Sequence, residues 1–297
     1  MNANSKPTLL VAGASGQLGR RVVELLLEAG SGPIIATTRT PETLAAFADR
    51  GVEVRKAHHD DASSLAAAFA GATRMLLVSG SDLDIRLGQH RAAIGAAVEA
   101  GVQHVVYTSA TAPMPDEGNL LTNSHFWTEQ ALAASPLGWT VLRDCIYTDM
   151  ILMSLPRAVE TGQLFSATAG KGRNYVTRED CARTAAAALA DDFDGRRILD
   201  VTGPEPVTQE AIAALAGDLT GKRVVHIDVP PEDLRAGLTA AGLPASVVAG
   251  LVGFDVDVAR GYHAITTPVV ETLAGRKPTS VQEFLTANRD ALIAAAA

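Results

Sequence analysis

The sequence predicts an α/β protein with a doubly wound parallel sheet and a smaller, mostly helical C-terminal region. Two observations lead to this fold class. Short, continuously apolar runs alternate with longer stretches rich in Ala and Leu through the first half of the chain, a pattern typical of parallel strands that helices cover on both faces. The chain has 297 residues, 47% of them hydrophobic, enough for one large domain or two small ones.

The elements of the first half follow in a regular order. Strands are predicted at TLLVAGA, PIIATTR, VEVRKA, RMLLVSG, HVVYTSA and WTVLRD, and helices at GQLGRRVVELLLEAG, ETLAAFADRG, SSLAAAFAG, LGQHRAAIGAAVEAG and SHFWTEQAL. Gly30 is expected to close the first helix, and Asp61 to cap the third. Parallel neighbours require right-handed crossovers, which the intervening helices supply.

The second half is less regular. Helices are predicted at DCARTAAAALA, TQEAIAALAGDLTG, PPEDLRAGLTAAGLP and SVQEFLTANRDALIAAAA, and strands at RILDVTG and RVVHIDV. Thr177 or Glu179, Thr208 and Ser280 are the expected N-caps. We expect residues 1–150, rejoined by 177–202, to form the sheet domain. Residues 151–176 and 203–297 are expected to form a lid over the carboxyl edge of the sheet, where ligands bind in such folds.

Composition excludes several classes of protein. The net charge is −8 and no basic run occurs, which argues against a nucleic-acid surface. Cys145 and Cys181 show no paired spacing, so neither a disulfide framework nor a metal site is expected, and a reducing cytoplasmic setting fits. No signal peptide is expected at the N-terminus, and no apolar run reaches membrane-spanning length.

The segment VAGASGQLGR joins the first strand to the first helix and carries Gly13, Gly16 and Gly19 in a G-x-x-G-x-x-G pattern. The first glycine permits a tight turn, the second lets a pyrophosphate approach the backbone, and the third lets the helix pack close to the strand. The helix N-terminus offers its N–H groups to phosphates. In this context the pattern favours a Rossmann dinucleotide site over an ordinary glycine turn.

The end of the second strand indicates which dinucleotide is bound. An Asp or Glu there holds a ribose hydroxyl of NAD. This chain instead has ATTRT, with Arg39 after the strand and no acidic residue before Glu42. A guanidinium matches a 2′-phosphate, so NADP(H) is the expected cofactor. The alternative is a surface arginine on a loop.

Several segments together resemble a known family. They are GASGQLG, ATTRTPE, VEVRKAHHDDASSLAAAFAG, LLVSG, AGVQHVVYTS, HFWTEQAL, LRDCIYTDM and the tail LAGRKPTSVQEFLTANRDAL. In this order they resemble the NmrA-like group of atypical short-chain dehydrogenase/reductases over nearly the whole chain. Within the group, the resemblance is nearest to quinone oxidoreductases of type 2 and triphenylmethane reductases. These motifs are specific for the family and poor guides to the substrate.

The resemblance implies cofactor contacts in four stretches. The glycine-rich loop would contact the phosphates, and Arg39 would contact the 2′-phosphate. The residues after the fourth strand would line the adenosine ribose, and residues 144–149 would flank the nicotinamide. The residues concerned, besides Arg39, are Gly13, Ser15, Gly16, Gln17, Leu18, Gly19, Ser79, Gly80, Asp144, Cys145, Ile146 and Tyr147.

The chain departs from the family pattern at two places. Ala57 and His58 stand where Gly-Asp is common, which puts an adenine contact in doubt unless Asp60 or Asp61 substitutes. Asp144 stands where the family often has Asn, which changes the charge on the nicotinamide side.

The proton donor of typical short-chain dehydrogenases is missing. Those enzymes use Tyr-x-x-x-Lys, whose tyrosine passes a proton to the substrate oxygen. The four tyrosines of this chain have Thr, Ile, Glu and Thr four residues later. Tyr147 could still reach a substrate from beside the nicotinamide, and the alternative is a packed loop tyrosine.

The helix that would carry the Tyr-x-x-x-Lys pair contains instead the segment from His125 to Gln130. The similar segment in the family reads His-x-x-Thr-Glu-Lys, so Gln130 stands at the position of the lysine. His125 and Glu129 lie one helical turn apart on one face. His125 is therefore either a hydrogen-bond or proton donor to the substrate, oriented by Glu129, or part of a structural pair with Trp127 packed inward. The His58 to Asp61 run is interpreted as a loop with a helix cap and not as a metal site.

These observations predict NADPH-dependent hydride transfer to an apolar aromatic or quinone-like small molecule. Such acceptors need no strong general acid, because the developing charge is delocalised or water protonates the product. Two alternatives stay open: a non-catalytic NADP(H)-binding redox sensor that regulates a partner protein, and a carbonyl reductase or isomerase of a biosynthetic pathway. A homodimer is also left open.

Overall fold

A computed structural model describes residues 6–116 and 119–294 of the chain. The chain folds into two compact units. Among the described residues, the first unit comprises 6–115, 121–143 and 181–199, and the second comprises 116, 119–120, 144–180 and 200–294. No helix in the described residues is long and apolar enough to span a bilayer.

The strands of the described residues form one large sheet and two small ones. In chain order they are β1 (Leu9–Ala12), β2 (Ile34–Thr38), β3 (Glu53–Lys56), β4 (Arg74–Leu77), β5 (His104–Ala110), β6 (Gly138–Asp144), β7 (Ile146–Tyr147), β8 (Gln163–Ser166), β9 (Arg173–Val176), β10 (Arg196–Val201), β11 (Pro206–Val207) and β12 (Val225–Asp228). The large sheet has seven strands in the order β10-β6-β5-β4-β1-β2-β3. β1 lies parallel to both β2 and β4, so the strand order reverses beside it.

The helices alternate with the strands through the first unit and dominate the second. They are α1 (Gln17–Glu28), α2 (Ala45–Ala48), α3 (Ala62–Phe69), α4 (Arg86–Glu99), α5 (Leu120–Ala134), α6 (Ile151–Thr161), α7 (Arg178–Ala190), α8 (Gln209–Thr220), α9 (Pro231–Ala240), α10 (Ala245–Ala259), α11 (Val269–Ala274), α12 (Val281–Ala287) and α13 (Arg289–Ala294), with 3₁₀ turns at Pro41–Leu44 and Thr148–Met150.

Each unit has its own hydrophobic core. In the first unit, fully buried residues such as Leu10, Met75 and Tyr107 lie between the sheet and its helices. In the second unit, the core contains Leu155 and Leu285. These cores explain the apolar runs of the sequence, because strands buried on both faces cannot alternate polar and apolar side chains.

The α/β prediction is confirmed, as are four of the predicted N-caps. Asp61 accepts from two backbone N–H groups of α3, Thr208 accepts from Ala211, and Ser280 forms a capping box with Glu283. Thr177 also caps α7, where its hydroxyl accepts from the Asp180 N–H at 3.0 Å.

Two predicted helices are wrong in extent. The C-terminal helix is interrupted at Asn288, whose side chain donates to the Phe284 carbonyl at 2.8 Å, and residues 295–297 lie outside the described residues. ETLAAFADRG forms only a 3₁₀ turn and the single turn of α2. The break falls at Leu44, which leaves the helical region with φ −113°.

Candidate functional site

The glycine-rich loop between β1 and α1 is shaped by two glycines that the fold itself requires. Gly13 has φ +88°, and a Cβ atom there would lie 3.3 Å from Cβ of Val78. A Cβ atom at Gly19 would collide with the carbonyl oxygen of Gly13. Any side chain at either position therefore strains the backbone or separates α1 from the strand.

Gly16 differs from these two, because the surrounding protein leaves room for a side chain. Its φ of −73° and ψ of 165° suit any residue. A Cβ atom there would lie 3.4 Å from the Gly13 carbonyl oxygen, which is an ordinary van der Waals distance. The open space beside Gly16 is therefore not needed for folding, and it fits the approach of a ligand to the backbone.

The N-terminus of α1 supplies donors beside this space. The N-cap Gly16 has no side chain to cap the helix, and the first turn holds no acidic residue. The N–H of Arg20 donates to the Gly16 carbonyl at 2.9 Å. The N–H groups of the preceding helical residues, Gln17 and Leu18 among them, have no acceptor within the helix. An uncapped helix start beside open space fits an anionic diphosphate.

Arg39 directly follows β2 and is exposed. Its positive charge also acts on His59, which follows β3. Burial lowers the pKa of His59, and the charges of His58 and Arg39 lower it further, whereas a backbone hydrogen bond to Gln89 and the charge of Asp60 oppose them. Arg39 is thus an exposed cation at the carboxyl end of β2, where its guanidinium can pair with a phosphate.

The two acids suggested as substitutes in the adenine region have other contacts. Asp61 is the N-cap of α3. Asp60 accepts from the side-chain amide of Gln89 at 2.9 Å. An adenine contact is thus compatible with Asp60 only if Gln89 shares it, and Asp61 is committed to the helix.

The backbone after β4 is held from within the first unit. The Ser79 N–H donates to the hydroxyl of Thr108 at 2.9 Å, and the Gly80 N–H donates to Nε2 of His90 at 3.2 Å. Thr108 lies on β5 and His90 on α4. Two successive N–H groups of this loop therefore turn toward buried side chains.

Behind this loop lies a buried polar network that includes His125. Nη1 of Arg86 lies 3.0 Å from Nε2 of His125, and the hydroxyl of Tyr107 lies 2.7 Å from Nδ1 of the same ring. An arginine only donates, so Nε2 is the acceptor and Nδ1 carries the proton. Burial lowers the pKa of His125 well below its usual value, and the charge of Arg86 adds to this shift. His125 is thus a neutral imidazole with both nitrogens engaged.

The expected pairing of His125 with Glu129 is wrong. Glu129 instead accepts from the hydroxyl of Ser109 at 2.7 Å and forms a two-point ion pair with Arg143, whose Nη2 lies 2.6 Å from Oε2. The helix does place both residues toward the interior, but each meets a partner from a different element. Trp127 is 40% exposed, so the prediction that it packs inward is also wrong.

The residues expected on the nicotinamide side, 144–149, belong to the second unit. Tyr147 donates from its hydroxyl to Oδ2 of the buried Asp144 at 3.2 Å. The guanidinium of Arg178 lies over the Tyr147 ring, 5.3 Å from its centroid, and is itself paired with Asp149 at 2.9 Å. The Tyr147 ring is therefore held in one orientation.

The two remaining residues of this segment are held by the backbone. The Cys145 N–H donates to the Val201 carbonyl at 3.0 Å, and Ile146 pairs in parallel with Tyr175 of β9. Cys145 and Cys181 are both buried and form no disulfide.

The fold brings the predicted residues of the first unit together. The glycine-rich loop, Arg39 and Ser79–Gly80 follow β1, β2 and β4, which are neighbours in the sheet. They meet where the strand order reverses, the usual ligand position of such sheets. Sequence reasoning missed His90 and Thr108, although a histidine within the apolar helix LGQHRAAIGAAVEAG was a visible signal.

Comparisons with known proteins agree with this geometry. The model of a family described as NAD(P)H-binding matches residues 13–192. Quinone oxidoreductase 2 of Escherichia coli (strain K12) is 32% identical over 281 residues, which cover 93% of this chain and 96% of that protein.

Solved structures give the same picture. The chain is similar to the NADPH-dependent quinone oxidoreductase of Escherichia coli complexed with NADPH, with a TM-score of 0.89, 30% identity, and 94% and 99% of the two chains covered. It is also similar to the Citrobacter sp. triphenylmethane reductase complexed with NADP(H), with a TM-score of 0.83, 30% identity, and 97% and 100% covered.

Proposed function

The chain belongs to the family of NAD(P)H-binding proteins, and on this premise we propose that it is an NADPH-dependent reductase of apolar aromatic or quinone-like small molecules. The observation that carries the proposal is the space at Gly16 beside the uncapped start of α1. The fold does not need that space, whereas a bound pyrophosphate does.

Arg39 supports the choice of NADPH. It follows β2, at the strand end that in dinucleotide-binding sheets carries the group that reads the adenosine ribose. Its exposed guanidinium offers a planar pair of donors to a 2′-phosphate. The similar proteins of Escherichia coli and Citrobacter sp. were solved with NADPH and NADP(H).

The acceptor class follows from the missing proton donor. Bound NADPH supplies the hydride. The chain has no Tyr-x-x-x-Lys, and both ring nitrogens of His125 are engaged by Arg86 and Tyr107. An acceptor that spreads the incoming charge over a conjugated system needs no strong acid beside it. The names of the relatives, a quinone oxidoreductase and a triphenylmethane reductase, support this class.

Tyr147 is proposed as a substrate contact. Its hydroxyl donates to Asp144, so the phenol oxygen keeps its acceptor capacity and offers no proton while that bond persists. Arg178 holds the ring in place. Replacing Tyr147 by Phe should lower kcat/KM for the acceptor and leave the dissociation constant of NADPH unchanged.

The test of the function is NADPH oxidation, followed by its absorbance, against a panel of quinones, triphenylmethane dyes, enones and aldehydes. Turnover with quinones or dyes, abolished in Gly16→Val, supports the proposal. Turnover confined to aldehydes or enones would instead indicate the carbonyl reductase. Tight NADPH binding with no turnover of any acceptor would refute the reductase and support the redox sensor. We also propose a cytoplasmic location, which agrees with two cysteines that form no disulfide.

A further inference from the structure

The loop after β4 directs two successive backbone N–H groups, those of Ser79 and Gly80, toward the interior of the first unit. Ser79 donates to Thr108 and Gly80 donates to His90, at 2.9 and 3.2 Å. The described residues contain no cis peptide bond. In a planar trans peptide the carbonyl points opposite to the N–H. The carbonyls of Val78 and Ser79 therefore point away from the buried side, where hydroxyl donors of a ribose would find acceptors.

His90 is prepared for this contact by a defined tautomer. The Gly80 N–H donates to Nε2, so the ring proton lies on Nδ1. Nδ1 lies 2.9 Å from the hydroxyl of Thr128, which itself donates to the Ser124 carbonyl at 2.7 Å and so accepts from His90. Nδ1 is thus the donor and Nε2 the acceptor; the Tyr107 hydroxyl also lies 3.4 Å from Nδ1, and the side chain is 1% exposed.

The same loop also touches the glycine-rich loop. The Cβ atom of Val78 is the atom that a side chain at Gly13 would meet, at 3.3 Å. A shift of the backbone after β4 would therefore disturb both the acceptors of Val78 and Ser79 and the packing of Gly13. His90 holds one end of this stretch and Thr108 holds the other.

We propose that His90 is a positioning residue for the nucleotide cofactor: its Nε2 atom holds the Gly80 N–H, and this bond keeps the carbonyls after β4 directed toward the ribose. The proposal rests on the binding of NADPH to this chain and does not depend on which acceptor is reduced. It assigns a role in cofactor binding to a histidine whose side chain is buried.

Two substitutions at His90 separate its two hydrogen bonds. In His90→Gln, the amide oxygen reaches the place of Nε2 and keeps an acceptor for Gly80. In His90→Asn, the shorter amide keeps a donor for Thr128 and loses the contact with Gly80. Each variant removes the ring and one bond, and His90→Asn in addition leaves one methylene less in a buried site.

The measurements are the NADPH dissociation constant by calorimetry and the free energy of unfolding by denaturant, for both variants. We expect His90→Asn to bind NADPH about tenfold more weakly than His90→Gln, since an unsatisfied buried N–H shifts the loop. His90→Asn should also unfold at a lower denaturant concentration, because it leaves the Gly80 N–H without its acceptor and one methylene of space unfilled; NADPH affinity is therefore compared under conditions in which both variants are folded. Equal NADPH affinity in the two variants, whether retained or lost, would overturn the proposal.

A second measurement uses the wild-type protein and covers the case in which the variants do not fold. Saturation with NADPH should shift the ring-nitrogen resonances of His90 and the amide resonance of Gly80. Those of His104, a buried histidine of the same unit bonded to Thr140 at 3.0 Å, should stay unchanged. Unshifted His90 resonances, or equal shifts at both histidines, would contradict the assigned role. Because the readout is binding, its failure is distinct from a failure to turn over an acceptor.

Discussion

Gly16 and Gly19 lie three residues apart and should respond to substitution in opposite ways. Gly16→Val places its Cβ at an ordinary distance, 3.4 Å from the Gly13 carbonyl oxygen, on a backbone that any residue adopts. The expected loss of stability is that of a poorer N-cap, about 1 kcal/mol or less. Gly19→Ala instead drives a methyl group into the Gly13 carbonyl, and overpacking of this kind costs about 1–3 kcal/mol.

NADPH affinity should respond in the opposite way: Gly16→Val should weaken binding more than Gly19→Ala does. The valine side chain fills the space where the pyrophosphate meets the start of α1, so NADPH affinity should fall by at least about a hundredfold, or ~2.7 kcal/mol. Calorimetry with NADPH and denaturant unfolding, performed on both variants, give the two quantities. Gly95 on α4 is a matched control, since a Cβ atom there meets nothing within 4 Å. Gly95→Ala should bind NADPH like the wild type.

A Gly16→Val protein that keeps its NADPH affinity would contradict the assignment of the pyrophosphate site. The space beside Gly16 would then serve no dinucleotide. A Gly16→Val protein that unfolds as readily as Gly19→Ala would also contradict it, since the fold would then need the glycine.

Three further predictions concern charged and titratable groups. Arg39→Ala should weaken NADPH binding about ten- to a hundredfold and leave NADH binding unchanged, because a charge-assisted hydrogen bond is worth about 1.5–3 kcal/mol. The dissociation constants of NADPH and NADH are compared at one ionic strength. Equal losses of affinity for the two nucleotides would contradict the assignment of Arg39 to the 2′-phosphate. Burial lowers the pKa of His90 to about 3 and those of His104 and His263 to about 4 from 6.5. As the pH falls, these histidines take up protons in the unfolded chain before they do so in the folded protein. Their contribution to the free energy of unfolding is therefore fully present above pH 6.5 and falls as the pH drops toward 4, by up to ~1.4 kcal/mol per pH unit per group. Denaturant unfolding at a series of pH values checks this, and an unfolding free energy that does not change with pH would count against neutral buried histidines. His125→Ala removes the partner of Arg86 Nη1 and one of the partners of the Tyr107 hydroxyl, which also lies 3.4 Å from Nδ1 of His90. The loss should cost ~2–3 kcal/mol of stability; a variant of wild-type stability with lowered kcat/KM would support the role of substrate donor instead.

The sequence was most informative where the signal was local. Apolar runs identified the central strands β1, β2, β4 and β5, because burial on both faces leaves a direct trace in composition. Caps such as Asp61 and Ser280 were identified because a cap bonds to N–H groups two or three residues away. Short strands such as β7 and β11, with two residues each, were not predicted, because two residues show no periodicity.

The contacts of the site were harder to predict than its position. The spacing of His125 and Glu129 favoured a pair within one helix, yet the partners of His125 come from α4 and β5. Tertiary partners of a buried polar group are set by the packing of distant elements, which local spacing does not encode. The same holds for His90, whose contact with Gly80 depends on how α4 lies beside β4.

The network around His125 ends on Arg86, and this has a consequence for the route that protons take. A relay moves a proton by passing it from donor to acceptor, and each member must be able to accept the next one. The guanidinium of Arg86 lies at one end of this row and accepts no proton. The row from Arg86 through His125 to Tyr107 therefore cannot conduct protons. We therefore expect a reduced acceptor to draw its proton from solvent and not through this row. The final protonation should accordingly follow the isotopic composition of the bulk water and not that of the slowly exchanging interior.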